Sequence, residues 1–149
     1  MNSSRFAGKV VVITGAASGI GEGAARRFAA EGAHLVLGDK DAAGLKRLAA
    51  ELGDAVETLE IDVSRMADCE ALVDLAVSRF DGIDVLVNDA GVDHLGKLDE
   101  GDFGAFSKVI ETDLYGVVQM SRAAIAHLRA AKGCIVNISS IWGLRGASC

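Results

Sequence analysis

The N-terminal part of the chain contains the segment Val10-Val11-Val12-Ile13-Thr14-Gly15-Ala16-Ala17-Ser18-Gly19-Ile20-Gly21, which indicates the architecture most directly. The first four residues of this segment are apolar and β-branched, which is typical of a strand buried on both faces of a parallel sheet. Glycines then end the strand, and from Gly19 onward apolar residues recur on one face of a predicted helix: Ile20, Ala24, Ala25, Phe28 and Ala29. The segment therefore predicts a strand, a glycine loop and a helix in direct succession.

The same alternation continues along the chain. Further strands are predicted at Leu35–Asp39, Val56–Ile61, Ile83–Val87 and Cys134–Ile138. Further helices are predicted at Ala42–Leu52 and Asp102–Ala131, and a third helix between them is expected to begin with Ser64 as its N-cap. In the last helix we expect an inward face made of Phe106, Ile110, Leu114, Val117, Val118, Ile125 and Leu128. This order predicts an α/β fold: a doubly wound parallel sheet of strand order 3-2-1-4-5, with ligands bound beyond the carboxyl ends of the strands.

Composition limits the class of protein. The chain has 149 residues, of which 50% are hydrophobic and 24% charged, so disorder, collagen-like repeats and coiled coils fit poorly and a single domain over residues 1–149 is expected. The formal net charge of −6 repels phosphate backbones and anionic lipid. We expect a small-molecule partner and neither nucleic acid nor a membrane.

Cysteine, histidine and the first residues indicate the compartment and argue against metal. Three cysteines without a C-x-x-C pair fit neither a disulfide framework nor a zinc site, and His34, His94 and His127 lie far apart in sequence. The apolar run Val10–Ile13 is too short for a signal peptide or a membrane span. We expect a cytoplasmic protein without a metal.

The glycine loop predicts a site for a dinucleotide. A pyrophosphate can sit on the N-terminus of the helix that follows, where free backbone N–H groups and the helix dipole favour an anion. In this interpretation Gly15 makes the tight turn, Gly19 lets the backbone approach the phosphates and Gly21 lets helix and strand pack closely. The spacing alone can also arise in any glycine-rich loop.

An acid at the end of the second strand supports the dinucleotide interpretation. Asp39 follows Gly21 by 18 residues, where a carboxylate accepts hydrogen bonds from an adenosine ribose and repels a 2′-phosphate. This favours NAD over NADP, although the neighbouring Lys40 favours the phosphate. The alternative is that Asp39 is only a turn residue.

Motifs in order along the chain resemble the N-terminal part of the short-chain dehydrogenase/reductase family, which has a Rossmann-like fold. They are Thr14–Gly21 for the cofactor loop, Asp62-Val63, Asn88-Asp89-Ala90-Gly91, and Ile135-Val136-Asn137-Ile138-Ser139-Ser140. The resemblance covers essentially the whole chain. It implies an oxidoreductase that transfers hydride between a nicotinamide and a secondary alcohol or ketone, with cofactor contacts from Gly15, Ser18, Gly19, Ile20, Gly21, Asp39, Asp62, Val63, Asn88, Ala90 and Gly91.

Each matched residue has a plainer alternative. Asp62 could accept the adenine amino group or only cap the following helix. Asn88 and Gly91 could hold the backbone near the cofactor or be structural. Ser140 by itself would be a turn residue, but the resemblance implies a catalytic hydroxyl that stabilises charge growing on the substrate oxygen.

The chain departs from the family pattern in several places. Asp89 replaces the second asparagine of Asn-Asn-Ala-Gly, and Asp113 stands where the family has a helix asparagine whose main-chain carbonyl serves a proton relay. We assign that role to Asp113, the alternative being an ordinary helix acid. The family's Tyr-x-x-x-Lys is absent, and the sole tyrosine, Tyr115, has Gln119 four residues on, so we expect it to be a packing residue.

These departures leave three hypotheses open. The first is an NAD-dependent dehydrogenase whose activity is lost or impaired in a truncated chain, with a fold incomplete on its C-terminal side. The second is a dinucleotide-binding module without turnover, and the third is a nonfunctional gene fragment. Ile141, Trp142 and Leu144 could line an apolar pocket wall or form an exposed tail. An uncovered sheet edge favours self-association.

Overall fold

The computed structural model describes residues 4–94, 96–97 and 99–141. Five parallel strands form one sheet in the order β3-β2-β1-β4-β5, as the sequence predicted. The strands are β1 (Val10–Thr14), β2 (His34–Asp39), β3 (Val56–Glu60), β4 (Val85–Asn88) and β5 (Cys134–Asn137). Strand bounds differ from the predicted ones by one or two residues, because hydrogen-bonded pairing rather than hydropathy sets where a strand ends.

Helices cover both faces of the sheet. They are α1 (Gly19–Ala30), α2 (Ala42–Leu52), α3 (Met66–Phe80), α4 (Phe103–Val109) and α5 (Val117–Ala131), and a π-helical segment, Ile110–Gly116, joins α4 to α5. One core cluster packs α3 and α5 on the sheet, and the other packs α1 and α2. No helix among the described residues is long and apolar enough to cross a membrane.

Strand β1 lies at the centre of the sheet, and all five of its residues are buried. Val10 and Val12 belong to the core on the α3 side, whereas Val11 and Ile13 belong to the core on the α1 side. The apolar run Val10–Ile13 follows from this, because side chains that alternate between two covered faces are all buried; Thr14, the buried polar residue at the end of the strand, has hydrogen-bond partners. The glycine loop follows β1 directly, so the most deeply buried strand positions it.

The predicted helical region over Asp102–Ala131 is confirmed from Phe103 to Ala131, but its predicted inward face is wrong for four of its seven residues. The π-helical segment interrupts it, and its wider turn rotates the buried face away from the one that a period of 3.6 residues predicts. Leu128 is buried, and Ile110 and Val117 are half-buried. The others are exposed: Phe106, Leu114, Val118 and Ile125. Tyr115, expected to pack, is also exposed.

Two smaller expectations are also corrected. Arg65, not Ser64, precedes the first residue of α3, and Ser64 instead binds the Asp62 carboxylate. Ile20, expected on the apolar face of the first helix, is 63% exposed in the first turn of α1. In the edge strand β5, which pairs only with β4 among the described residues, Val136 is exposed and Ile135 is half-buried.

A buried acid holds the first described residues against the end of α1. Glu31, at the end of α1, is 4% exposed. It accepts two hydrogen bonds of 2.6 Å from the Arg5 guanidinium and one of 2.7 Å from Arg27. The hydrogen bonds from Arg5 are the main reason that the pKa of Glu31 is lowered to about 2. The ionised form is therefore favoured in the folded chain.

We predict that Glu31→Gln lowers the free energy of unfolding near neutral pH, because both arginines lose their charged partner. A pKa lowered on folding contributes stability above the ordinary value of 4.5, and this contribution is lost as pH falls toward about 2. Urea denaturation from pH 7 to pH 2.5 measures the difference. The exposed Glu70→Gln on α3 is the control, and a difference between the Glu31 variant and the wild type that is independent of pH would contradict the assignment.

Candidate functional site

A cavity of about 1010 Å³ opens at the carboxyl edge of the sheet, which is at the upper end of the range for cofactor sites. Loops after the strands and the π-helical segment form its walls. Its lining contains Gly15, Ser18, Gly19, Ile20, Gly38, Asp39, Lys40, Ile61, Val63, Asp89, Ala90, Gly91, Val92, Asp93, Val109, Ile110, Thr112, Asp113, Ile138, Ser139 and Ser140.

Glycines of the loop allow a close approach of two backbones. Gly15 has φ of +69°, and a Cβ added there would lie 2.7 Å from the Ala90 nitrogen, so a side chain fits neither the conformation nor the space. A Cβ on Gly21 would collide with the Gly15 carbonyl oxygen. Ser18 precedes α1 with extended backbone and makes no side-chain cap hydrogen bond. The first turn of α1 thus lies at the cavity with donors that its own cap does not use.

Asp39 connects the end of β2 to the glycine loop. Its Oδ2 accepts a hydrogen bond of 2.9 Å from the Ala17 N–H, and its Oδ1 accepts one of 3.0 Å from the Asp41 N–H. The second contact is the turn role that the sequence left open, and the carboxylate also lies in the cavity wall. Asp39 therefore both stabilises the turn after β2 and lines the cavity.

Lys40 is held by an acid. Its ammonium lies 2.8 Å from Asp62 Oδ2, and Ser64 donates its hydroxyl to Asp62 Oδ1 at 2.6 Å. Burial raises the pKa of Asp62, but the hydrogen bonds from Lys40 and Ser64 outweigh burial and hold this pKa at about 2. Lys40 lines the cavity and Asp62 does not, whereas the neighbouring Val63 does.

Asn88 joins three elements behind the cavity rather than lining it. Its Nδ2 donates to Asn137 Oδ1 at 2.8 Å and to Ser121 Oγ at 3.2 Å, which ties β4 to β5 and α5. The Thr14 hydroxyl oxygen accepts hydrogen bonds of 3.3 Å from the Asp89 and Ala90 N–H groups. The side chains at these strand ends thus fix the turn that carries Asp89-Ala90-Gly91.

The π-helical segment faces the turn after β4. Asp113 Oδ1 accepts a hydrogen bond of 2.9 Å from the Val92 N–H and lies close to Gly91. The neighbouring Thr112 is buried, lines the cavity, and has a hydroxyl oxygen without a hydrogen-bond partner within the described residues. Ser140, after β5, lines the same cavity.

Ten of the sequence-predicted site residues therefore line one cavity, and three lie behind its surface: Gly21, Asp62 and Asn88. Thr112 and Val92 were not predicted. Thr112 reaches the cavity through a π-helical turn, which the residue pattern does not reveal. Trp142 and Leu144 lie outside the described residues. Within residues 4–94, 96–97 and 99–141, no group of three or more His, Cys, Asp or Glu residues could hold a metal ion.

Comparison with known proteins identifies the class. The family model described as short chain dehydrogenase matches residues 9–149. Meso-2,3-butanediol dehydrogenase of Serratia marcescens is 44% identical over 95% of this chain and 57% of its own length. L-fucose dehydrogenase of Oryctolagus cuniculus is 42% identical over 97% of this chain and 51% of its own.

Solved structures give the same result. A short chain dehydrogenase/reductase from Burkholderia phymatum in complex with NAD superposes with a TM-score of 0.92 at 35% identity, over 95% of this chain and 52% of that one. A 3-ketoacyl-(acyl-carrier-protein) reductase from Brucella melitensis complexed with NADH gives 0.87 at 39% identity, over 91% of this chain and 59% of that one. This chain belongs to the short chain dehydrogenase family. It spans about half the length of the curated relatives that it matches.

We predict that Gly15→Ala destabilises the chain more than Gly19→Ala. Both positions have positive φ, but a Cβ at Gly19 meets nothing within 4 Å, whereas one at Gly15 meets the Ala90 backbone. The collision adds about 1–3 kcal/mol to the strain that the two variants share. Urea denaturation of both variants measures it, and equal losses would show that the loop and the turn after β4 are not in close contact.

Proposed function

We propose that this chain binds NAD(H) and belongs to an oxidoreductase that transfers hydride between the nicotinamide and a secondary alcohol or ketone. One observation carries the proposal: the glycine loop, Asp39 and Ser140 all reach the same cavity, although they are far apart in sequence. The NADH and NAD complexes of the two structural relatives support the choice of cofactor.

The proposed cofactor contacts divide between the two ends of the cavity. The pyrophosphate lies at Ser18, Gly19 and Ile20, where the N-terminus of α1 supplies N–H donors. Asp39 and Val63 would hold the adenosine, and Gly91 and Ser140 would lie beside the nicotinamide. Gly21, Asp62 and Asn88 then support these contacts from behind the cavity wall, Gly21 by its close packing and the other two by hydrogen bonds. The cofactor supplies the hydride acceptor or donor.

The preference for NAD over NADP rests on the charges beside the proposed ribose site. Asp39 lies in the cavity wall as an acceptor for ribose hydroxyls and repels a 2′-phosphate. Lys40, which would attract that phosphate, is paired with Asp62 at 2.8 Å. Binding a phosphate there would require Lys40 to leave this partner.

We predict that the wild-type chain binds NADH more tightly than NADPH and that Asp39→Asn reduces the ratio by on the order of tenfold, the effect of about 1.4 kcal/mol of lost discrimination. Isothermal titration calorimetry with both cofactors measures it. Asp54→Asn, an exposed acid before β3 at the opposite edge of the sheet, is the charge-matched control. An unchanged ratio in Asp39→Asn would show that Asp39 does not select the cofactor.

Ser140 is the proposed catalytic hydroxyl. At the end of the cavity assigned to the nicotinamide, it can donate a hydrogen bond to the substrate oxygen and stabilise negative charge that develops there. Asp113 is the proposed relay residue, acting through its main-chain carbonyl while its side chain holds the Val92 N–H. The names of the relatives support a hydroxylated small molecule as substrate, since they describe dehydrogenases of a diol and of a sugar.

We predict that Ser140→Ala lowers kcat for NADH-dependent ketone reduction by about 10²–10³-fold with little change in NADH affinity, as for loss of one donor to a developing oxyanion. Steady-state kinetics over a ketone and alcohol panel, together with calorimetry, separates the two effects. Ser78→Ala is the matched control, because Ser78 is exposed on α3 and bonds only the Leu75 carbonyl among the described residues. Equal kcat in Ser140→Ala and the wild type would remove Ser140 from the reaction.

A second candidate is an NAD(H)-binding module without turnover. It requires the glycine loop and Asp39 at the cavity but no acid–base residue. Without a tuned acid, general acid catalysis loses about 10²–10⁴-fold. The same kinetic panel discriminates the candidates, since the module binds NADH saturably and reduces no ketone.

Three accompanying expectations remain part of the proposal. We infer one domain over residues 1–149 and a cytoplasmic location, the latter supported by the odd number of cysteines. We also infer self-association. It is supported by exposed apolar side chains along α4, the π-helical segment and α5.

A further inference from the structure

Asp89 lies at the junction of the glycine loop and the turn after β4. Its carboxyl group lies against Gly21, since a Cβ added at Gly21 would lie 2.8 Å from Asp89 Oδ2. Asp89 is half-buried and lines the cavity. Its carboxyl group therefore lies beside the N–H donors in the first turn of α1, next to the residues proposed to hold the pyrophosphate.

The surroundings of Asp89 disfavour its negative charge. Burial is the main cause that raises the pKa of Asp89, the Gly21 N–H opposes it, and the Asp39 carboxylate raises it further. Charged groups on the neighbouring elements are already engaged. They are Glu22 of α1 with Arg26 and Arg47, Lys40 after β2 with Asp62, and Asp113 of the π-helical segment with the Val92 N–H.

These contacts leave Asp89 without a basic partner among the described residues, and the sequence has an acid where the family pattern has a neutral asparagine. An amide at this position could accept the same N–H without adding charge. A carboxylate instead places a second anion at the helix terminus that the cofactor needs.

We propose that Asp89 competes as a carboxylate with the pyrophosphate for the N-terminus of α1, so that NAD(H) binding takes up a proton onto Asp89. This inference rests on the proposed function. The added negative charge of the cofactor favours the protonated carboxyl in the complex. Affinity is therefore greatest at low pH and decreases as pH rises through the range in which Asp89 ionises in the complex.

The test is calorimetric titration of the full chain with NADH at pH 5.5, 6.5 and 7.5, in pairs of buffers that differ in ionisation enthalpy. The wild type should take up a fraction of a proton that is largest at the lowest pH, and its affinity should decrease with rising pH. Asp89→Asn should take up none. It should bind NADH on the order of tenfold more tightly at pH 7.5, the factor that one pKa unit of coupling produces. Asp54→Asn, which removes the same charge at the opposite edge, should behave as the wild type.

The outcomes separate the two proposals. Saturable NADH binding by the wild type without proton uptake at any pH overturns the role of Asp89 and leaves the proposed function standing. Equal proton uptake by the wild type and Asp89→Asn also overturns it, because another group then titrates. No NADH binding at any pH overturns both. If Asp89→Asn fails to fold, Asp89→Ser, which also removes the carboxyl group and should take up no proton, replaces it in the same comparison.

Discussion

The close contact between the glycine loop and the turn after β4 is the constraint on which the site depends. Gly15 can approach the Ala90 backbone only because it has no Cβ and takes a positive φ. This contact brings two neighbouring strand ends together and places the first turn of α1 against the cavity. The buried strand β1 carries the loop, and hydrogen bonds to Thr14 hold the opposing turn. The core of the domain and its site thus share one set of interactions.

The charge of the cavity wall is set by carboxylates whose partners are mostly backbone N–H groups and not basic side chains. Lys40 is paired with Asp62, while Asp39 and Asp113 are satisfied by backbone N–H groups. Helix α1 supplies the favourable field for an anion, and Asp89 reduces it. Selection of a cofactor and its dependence on pH would then come from neighbouring carboxylates with different partners.

Much of the fold could be predicted because its determinants are local. The β-branched run of β1, the glycine spacing and the alternation of periods indicated strand order and the cavity edge. The buried face of the helical region after β4 could not be predicted, because a π-helical turn changes which residues are buried and leaves Leu114 and Tyr115 exposed. The structural role of Asn88 could not be predicted either, because its hydrogen-bond partners Ser121 and Asn137 are distant in sequence.

The most direct test of the account is to map NADH binding on the isotope-labelled chain by amide chemical shifts. If the cavity binds the dinucleotide, saturable shifts are concentrated at Ser18, Gly19 and Ile20, with further shifts around Asp39 and Gly91 and none at the opposite edge around Asp54. Shifts confined to other surfaces, or none at saturating NADH, would contradict the claim that this cavity binds the dinucleotide.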